Sequence, residues 1–153
     1  MTKDSKVNFA ECSGLEIMQA MVSGQLPRPS IADTIPMVFD EALSGTIKFR
    51  ATADERHLNP MGGVHGGFAA TVLDSVTGCA VHTMLEPGVG YGTIDLNVKM
   101  LKAVPRGVEL LAEGKVLHIS KNIGVAEGTI KTLDGVLIAH ATATCWIKRA
   151  SQN

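Results

Sequence analysis

Two features that could do chemistry lie in one stretch, residues 59–85, which reads NPMGGVHGGFAATVLDSVTGCAVHTML. Gly66 and Gly67 stand where a polar, glycine-rich loop opens into a long apolar segment, so a helix is predicted to begin there. Free backbone N–H groups and the positive end of the helix dipole face outward at such a start. The helix start can therefore donate a hydrogen bond to a developing oxyanion.

The second feature is Asp74, the one acidic residue of the apolar segment. The segment is apolar all round, which predicts a helix buried on every side. A carboxylate in such a helix must be paired, neutralised or used. Because eight residues of helix rise about 12 Å, Gly66 and Asp74 of one chain cannot both touch one carbonyl. Either only one of them is functional, or a second copy of the chain brings its Asp74 to Gly66, and we prefer the second interpretation.

Length and charge set the class of protein. A chain of 153 residues fits one domain with a real core, and we expect residues 12–150 to form it after a flexible N-terminus over residues 1–11. The net charge of −1, without a basic run, lacks the electrostatic footprint of a nucleic-acid binder. No nucleic-acid partner is therefore expected.

The cysteines and histidines point to a cytoplasmic protein without a metal. Three widely spaced cysteines favour reduced thiols over a disulfide framework. The five histidines are scattered and form no zinc-binding spacing. No run of membrane-spanning length is free of charge. We expect neither a metal nor a membrane partner.

The N-terminal part of the domain predicts a helix and a connector. Residues 13–24 form an amphipathic pattern in which Ser13 and Glu16 make a capping box. Residues 25–36 carry three prolines and predict an extended connector over the surface. This N-terminal part could be a packing appendage or a substrate lid, and we favour the first.

The rest of the chain predicts strands. Two strand-like stretches lie within residues 37–53 and four within residues 91–147, and alternation of apolar and polar residues marks them as half-buried. Gly124, Ala126 and Gly128 leave one sheet face open to something bulky, which we take to be the buried helix. The predicted fold is α+β, with a long antiparallel sheet wrapped around one central helix.

Asn59, His65-Gly66-Gly67 and Asp74, at this spacing, resemble the signature of hotdog-fold acyl-CoA thioesterases of the phenylacetate-degradation (PaaI-like) type. The resemblance extends from about residue 15 to residue 147. It implies the hotdog fold, hydrolysis of an acyl- or aryl-CoA to free acid and CoA, and no cofactor beyond the CoA of the substrate. It also implies a homodimer with shared active sites, usually joined into a tetramer.

The resemblance implies a catalytic set. Asp74 would be a nucleophile or a general base, two roles that the sequence leaves open. The Gly66 N–H would polarise the carbonyl, and Asn59 would contact the nucleophile or the attacking water. His65 belongs to the set, although we favour a hydrogen bond that holds the loop over proton transfer. Thr93 corresponds to a Ser or Thr near the attacking water, but its place on a polar strand face also fits a solvated residue.

A second set would bind the CoA, whose phosphates need basic or N–H-rich surface. Its members are Gly67 at the helix start, Lys99, and the turn residues Ser120, Lys121 and Asn122. Relatives often carry Gly-Arg at this turn. Lys121 in place of that Arg loses bidentate phosphate pairing and keeps a point charge.

Two other interpretations compete. A hotdog dehydratase or hydratase carries a histidine on the central helix or an Asp-x-Asn-Pro loop followed by His; here the helix carries Asp74, and Asp54 stands five residues before Asn59. A non-catalytic acyl-CoA-binding protein of the same fold would have no use for a buried, unpaired acid. We therefore predict an acyl-CoA thioesterase.

Overall fold

The computed structural model describes residues 7–149, and within them six strands form one antiparallel sheet of order β1-β2-β4-β5-β6-β3. The elements are α1 (Gly14–Val22), α2 (Ile31–Thr34), β1 (Met37–Leu43), β2 (Thr46–Thr52), a 3₁₀ turn (Glu55–His57), α3 (Gly66–His82), β3 (Gly90–Met100), β4 (Glu109–Ile119), β5 (Ile123–Thr132) and β6 (Leu137–Lys148). Helix α3 packs on one face of the sheet, mainly against β4 and β5. The predicted hotdog architecture is confirmed. The predicted flexible N-terminus falls partly on residues 1–6, and these, like the predicted domain end at residue 150, lie outside the described residues.

Glycines let α3 lie unusually close to the sheet. A Cβ at Gly114 would lie 2.1 Å from the carbonyl oxygen of Val76, and one at Gly124 would lie 2.7 Å from a methyl of Val81. A Cβ at Gly128 would also be crowded by α3, at 3.0 Å. The small-residue face predicted on β5 therefore receives the helix, and Gly114 of β4 belongs to the same contact.

The expectation that α3 is buried on every side is wrong for this chain. Phe68, Val72 and Leu73 are fully buried against the sheet, but Asp74 is exposed. A half-buried stripe of small residues continues on the same side of the helix as Asp74, at Ala70, Thr71, Ser75 and Cys79. Small residues pack inside a core and also tolerate a surface, so the sequence pattern could not reveal this open stripe.

A β-bulge changes the facing of β3. Thr93 pairs with Cys145 of β6 and Asp95 pairs with Thr144, so Ile94 is the extra residue, 64% exposed. Cross-strand partners share a face, and Cys145 is buried on the α3 side. The prediction that Thr93 shares the polar outer face with Asp95 is therefore wrong, because the bulge shifts the alternation by one residue.

The N-terminal elements follow the prediction except in the connector. The capping box between Ser13 and Glu16 begins α1, and Gly24, with φ of 78°, follows its end. The connector is not extended throughout, since Ile31–Thr34 forms the short helix α2 and buries Ala32 to 2% exposure. Its prolines flank these four residues rather than interrupting them, so nothing prevents the helical turn.

Candidate active site

The start of α3 presents one free backbone donor. His65 is the N-cap residue, and its Nδ1 accepts a hydrogen bond of 2.8 Å from the Gly67 N–H. The Phe68 N–H donates to the His65 carbonyl oxygen at 3.0 Å. No hydrogen bond within residues 7–149 uses the Gly66 N–H. The start of the helix therefore offers Gly66 to a ligand, whereas the N–H of Gly67, a predicted CoA contact, is already used by His65.

The space beside Gly66 is filled by the tip of a methionine side chain. A Cβ there would lie 2.7 Å from Sδ of Met100, the last residue of β3. Gly66 and Met100 line a cavity of about 300 Å³ together with Val64, Ala69 and residues 101–104. The free donor therefore lies beside the end of the edge strand β3.

Asn59 organises the loop before α3. Its Oδ1 accepts hydrogen bonds from the N–H groups of Met61, at 2.9 Å, and Gly63, at 3.2 Å. Its own N–H donates to the Gly63 carbonyl oxygen at 2.7 Å. This is the turn-forming role of Asn59. Because Oδ1 is used in the loop, a contact to substrate or water would fall to the amide nitrogen.

Asp74 and Thr93 line a different cavity, of about 200 Å³, whose other walls include Gly78, Cys79 and Tyr91. The carboxylate of Asp74 accepts no hydrogen bond within the described part of the chain. The Thr93 hydroxyl lies 3.9 Å from Sγ of Cys145. The structure thus brings together Asp74 and Thr93, and it places both apart from Gly66.

Among the described residues, Asp74 is the one carboxylic acid that lines this cavity, and the ionisable groups around it are thiols and a phenol. Burial raises the pKa of the Cys79 thiol to about 12, and it raises the pKa of the Tyr91 hydroxyl well above its ordinary value. Burial also raises the pKa of Cys145. None of the three is then an anionic nucleophile. Tyr91 also lines this cavity, and we did not predict it from the sequence. The one signal available for it was its position between two glycines at the start of a strand.

The turn predicted to bind CoA lies at the other end of α3. Residues 120–122 connect β4 to β5, and Gly124, just after the turn, packs on Val81 near the C-terminal end of α3. The carbonyl oxygen of Lys121 accepts a hydrogen bond of 2.8 Å from Nε of Arg149. One chain therefore does not bring Ser120, Lys121 and Asn122 to Gly66.

Lys99 lies nearer to Gly66 in the chain fold but on the wrong side of the sheet. It pairs with His140 of β6, on the outer face, whereas its neighbour Met100 faces Gly66. A role for Lys99 in binding CoA at the Gly66 of its own chain finds no support in this placement.

Residues 7–149 contain no group of His, Cys, Asp and Glu side chains that could hold a metal ion. Within the same range, no helix is both long enough and apolar enough to cross a membrane.

Comparison with known proteins identifies the family. The family model of the thioesterase superfamily matches residues 61–139, just over half of the chain. A protein of Halobacterium salinarum, named provisionally as an esterase, is 30% identical over 74% of this chain and 77% of its own length. Acyl-coenzyme A thioesterase 13 of Mus musculus is 31% identical over 60% of this chain and 65% of its own length.

A solved structure agrees with the sequence relatives. It is a phenylacetic acid degradation-related protein of Ralstonia eutropha JMP134, named provisionally as a thioesterase, and it is 31% identical. The TM-score is 0.76, and the match covers 84% of this chain and 98% of that one. The sheet wrapped around α3 is thus shared with these relatives, and the chain is a thioester hydrolase that belongs to the thioesterase superfamily.

Proposed function

We propose that the protein hydrolyses the thioester of an acyl- or aryl-CoA to the free acid and CoA, in active sites shared between two copies of the chain. The observation that carries this proposal is the division of the chemistry within one chain. The free Gly66 N–H and the exposed Asp74 carboxylate line separate cavities, yet both lie beside the edge strand β3. A second copy that pairs with β3 can bring one feature to the other.

The exposed edge of β3 supports such pairing. The strand is 11 residues long, and it exposes 64% of Ile94 and 55% of Met100. A long edge strand with exposed apolar side chains is a template for pairing with another chain. A two-fold axis through this edge would make both the paired β3 strands and the two α3 helices antiparallel.

The register of that pairing follows from the contacts of α3. Gly66 lies against Met100, and Asp74 shares a cavity with Thr93. Asn97 is the middle of the run from Thr93 to Met100 when the bulge counts as one position. Antiparallel pairing about Asn97 would set each Met100 opposite the partner's Thr93. Each Gly66 would then lie beside the partner's Asp74.

In this arrangement the Gly66 N–H donates to the thioester oxygen as negative charge develops there. The partner's Asp74 either attacks the thioester carbon, to form an anhydride that water then cleaves, or takes a proton from the water that attacks. In both routes the C–S bond breaks, one water is consumed, and the acid and the CoA thiol leave. Thr93 would position the water beside Asp74, and the amide nitrogen of Asn59 would contact the water or the nucleophile. His65 holds the helix start through Gly67.

We assign the CoA phosphates to Lys121 with Ser120 and Asn122, from a neighbouring subunit. This assignment needs an assembly, because one chain places the turn at the end of α3 away from Gly66. The tetramer implied by the resemblance would supply such a neighbour.

The three cysteines are free thiols in the described part of the chain, which favours a reducing compartment such as the cytoplasm.

Release of free thiol from a panel of acyl-CoA esters tests the proposal. Asp74→Asn removes both the nucleophile and the base, so we expect kcat to fall at least about a hundredfold. The melting temperature should change little, because Asp74 is exposed and accepts no hydrogen bond within residues 7–149. Asp40→Asn, exposed on β1 at the opposite edge of the sheet, is the matched control and should keep its kcat.

The outcomes separate the proposal from its alternative. An Asn variant at position 74 with kcat within a few-fold of the parent would remove Asp74 from the chemistry. A wild-type protein that binds acyl-CoA without releasing thiol would instead be the non-catalytic acyl-CoA-binding protein.

A further inference from the structure

We propose that Tyr91 sets the upper size limit of the acyl group, so that the enzyme takes an uncharged acyl group no larger than about one aromatic ring or a short chain. This inference rests on the proposed function, since it assumes that the cavity beside Asp74 receives the acyl group. Tyr91 would thereby determine specificity without being the oxyanion donor or the catalytic carboxylate.

Tyr91 forms one end of the cavity that Asp74 also lines. Both residues line it, as does Gly78, one helical turn after Asp74 on the same side of α3. A Cβ at Gly78 would lie 3.1 Å from Cε2 of Tyr91 and 3.7 Å from its hydroxyl oxygen. The ring therefore packs directly on the helix backbone, and the missing side chain at Gly78 makes room for it.

A second cavity lies beyond Tyr91. The ring of His82 packs against Tyr91, with 5.0 Å between the ring centroids and 45° between the planes. His82 in turn lines a cavity of about 380 Å³, together with the apolar residues Phe9, Ile17 and Val89. The Tyr91–His82 pair thus stands between a small cavity beside Asp74 and a larger one at the end of α3.

The volumes set the size limit. The cavity beside Asp74 measures about 200 Å³. An apolar protein cavity of about 150 Å³ accommodates one benzene molecule. An acyl group of that size fits in front of Tyr91, and a longer chain needs the space behind it.

The walls favour an uncharged group. Ile31 and Ala32 of α2 and Met37 and Phe39 of β1 line the cavity opposite α3. Asp74 is the one charged residue among the described residues around it. An anionic acyl group would therefore meet a carboxylate without a compensating cation, and two like charges at close range repel each other. The short helix α2 thus forms part of the specificity wall rather than a mere appendage.

Chain-length profiles of kcat/KM test the inference, with butyryl-, phenylacetyl- and decanoyl-CoA as substrates. Tyr91→Leu replaces the ring with a shorter apolar side chain. Because the extra methylenes of the decanoyl chain then gain a pocket, the decanoyl-to-butyryl ratio of kcat/KM should rise at least about tenfold. Tyr91→Phe keeps the ring and should leave the ratio within about twofold of the parent. Wild type should favour butyryl- or phenylacetyl-CoA over decanoyl-CoA.

Ile31→Trp is a second variant that spares the buried core, because Ile31 is 44% exposed. It narrows the same cavity, so the phenylacetyl-to-butyryl ratio should fall about tenfold. This variant decides the question if Tyr91→Leu fails to fold. An unchanged ratio in folded Tyr91→Leu or Ile31→Trp, or a wild-type preference for decanoyl-CoA, would overturn the inference while thiol release upholds the proposed function. Failure of wild type to release thiol from any ester would overturn the proposed function itself.

Discussion

The two sides of α3 differ in what one chain can complete. On the sheet side, Gly114, Gly124 and Gly128 admit the helix to van der Waals contact, and Val72 and Leu73 are wholly buried. On the open side, Asp74 is exposed and the Gly66 N–H is unused within residues 7–149. The packing of α3 on the sheet is therefore complete within one chain. The groups that could act on a thioester are instead free to contact a ligand and a second copy.

The sharpest contrast between the two sides comes from adding one methyl group to each. In Gly114→Ala the new Cβ would lie 2.1 Å from a backbone oxygen of α3, so helix and sheet must separate. We expect a loss of about 3 kcal/mol or more in the free energy of unfolding, at the upper end of overpacking costs. Gly66→Ala meets only the flexible tip of Met100 and should cost less than about 1 kcal/mol. Urea unfolding of both variants measures the difference, and equal losses would contradict this account of α3.

His65 tests whether the helix start needs a cap or a proton carrier. His65→Ala removes the acceptor of the Gly67 N–H and should lower stability by about 1 kcal/mol, the usual cost of losing an N-cap. His65→Asn restores a capping oxygen. Its unfolding equilibrium constant and its kcat should therefore each lie within about threefold of the parent values. Thermal unfolding and thiol release measure the two quantities. A kcat as low in the Asn variant as in the Ala variant would indicate proton transfer by His65.

The smallest effect should come from the candidate phosphate contact. Lys121→Ala should raise KM for acyl-CoA about threefold with kcat nearly unchanged, because an exposed charge pair contributes less than about 1 kcal/mol and a remote contact gives uniform binding. The KM of Lys99→Ala, on the outer face of the sheet, shows which of the two lysines contacts the CoA phosphates. Lys131→Ala, exposed on β5, is the control. A Lys121→Ala variant with the KM of the control would remove Lys121 from the CoA site.

Local patterns predicted those parts of the fold that depend on near neighbours in the chain. Alternation found the strands, Ser13 and Glu16 marked the start of α1, and the glycine-rich loop marked the start of α3. The errors arose where distant contacts decide. Ile94 takes the bulge and moves Thr93 to the α3 face, and only the pairing of β3 with β6 reveals it.

The same limit applies to the candidate site. The residue types of Gly66, His65 and Asp74 pointed to their chemistry, but the exposure of Asp74 depends on which side of α3 the sheet covers. Tyr91 escaped notice because its position opposite Gly78 joins two elements that are distant in sequence.

The shared active site is the central claim, and mixing two inactive variants tests it most directly. Asp74→Asn chains lack the carboxylate, and Gly66→Pro chains lack the N–H donor. Proline is tolerated at the first position of a helix, and His65 before it is already extended, with ψ of 137°. Each homodimer should be nearly inactive, whereas a hybrid dimer holds one intact site and one doubly damaged site.

Differently tagged chains, unfolded together and refolded at equal amounts, allow hybrid dimers to be counted by native mass spectrometry while thiol release is measured. Half of the dimers should be hybrid and each should have half of its sites intact, so activity should recover to about one quarter of wild type. Absence of recovery in a mixture that contains folded hybrid dimers would contradict a site built from Gly66 of one chain and Asp74 of its partner.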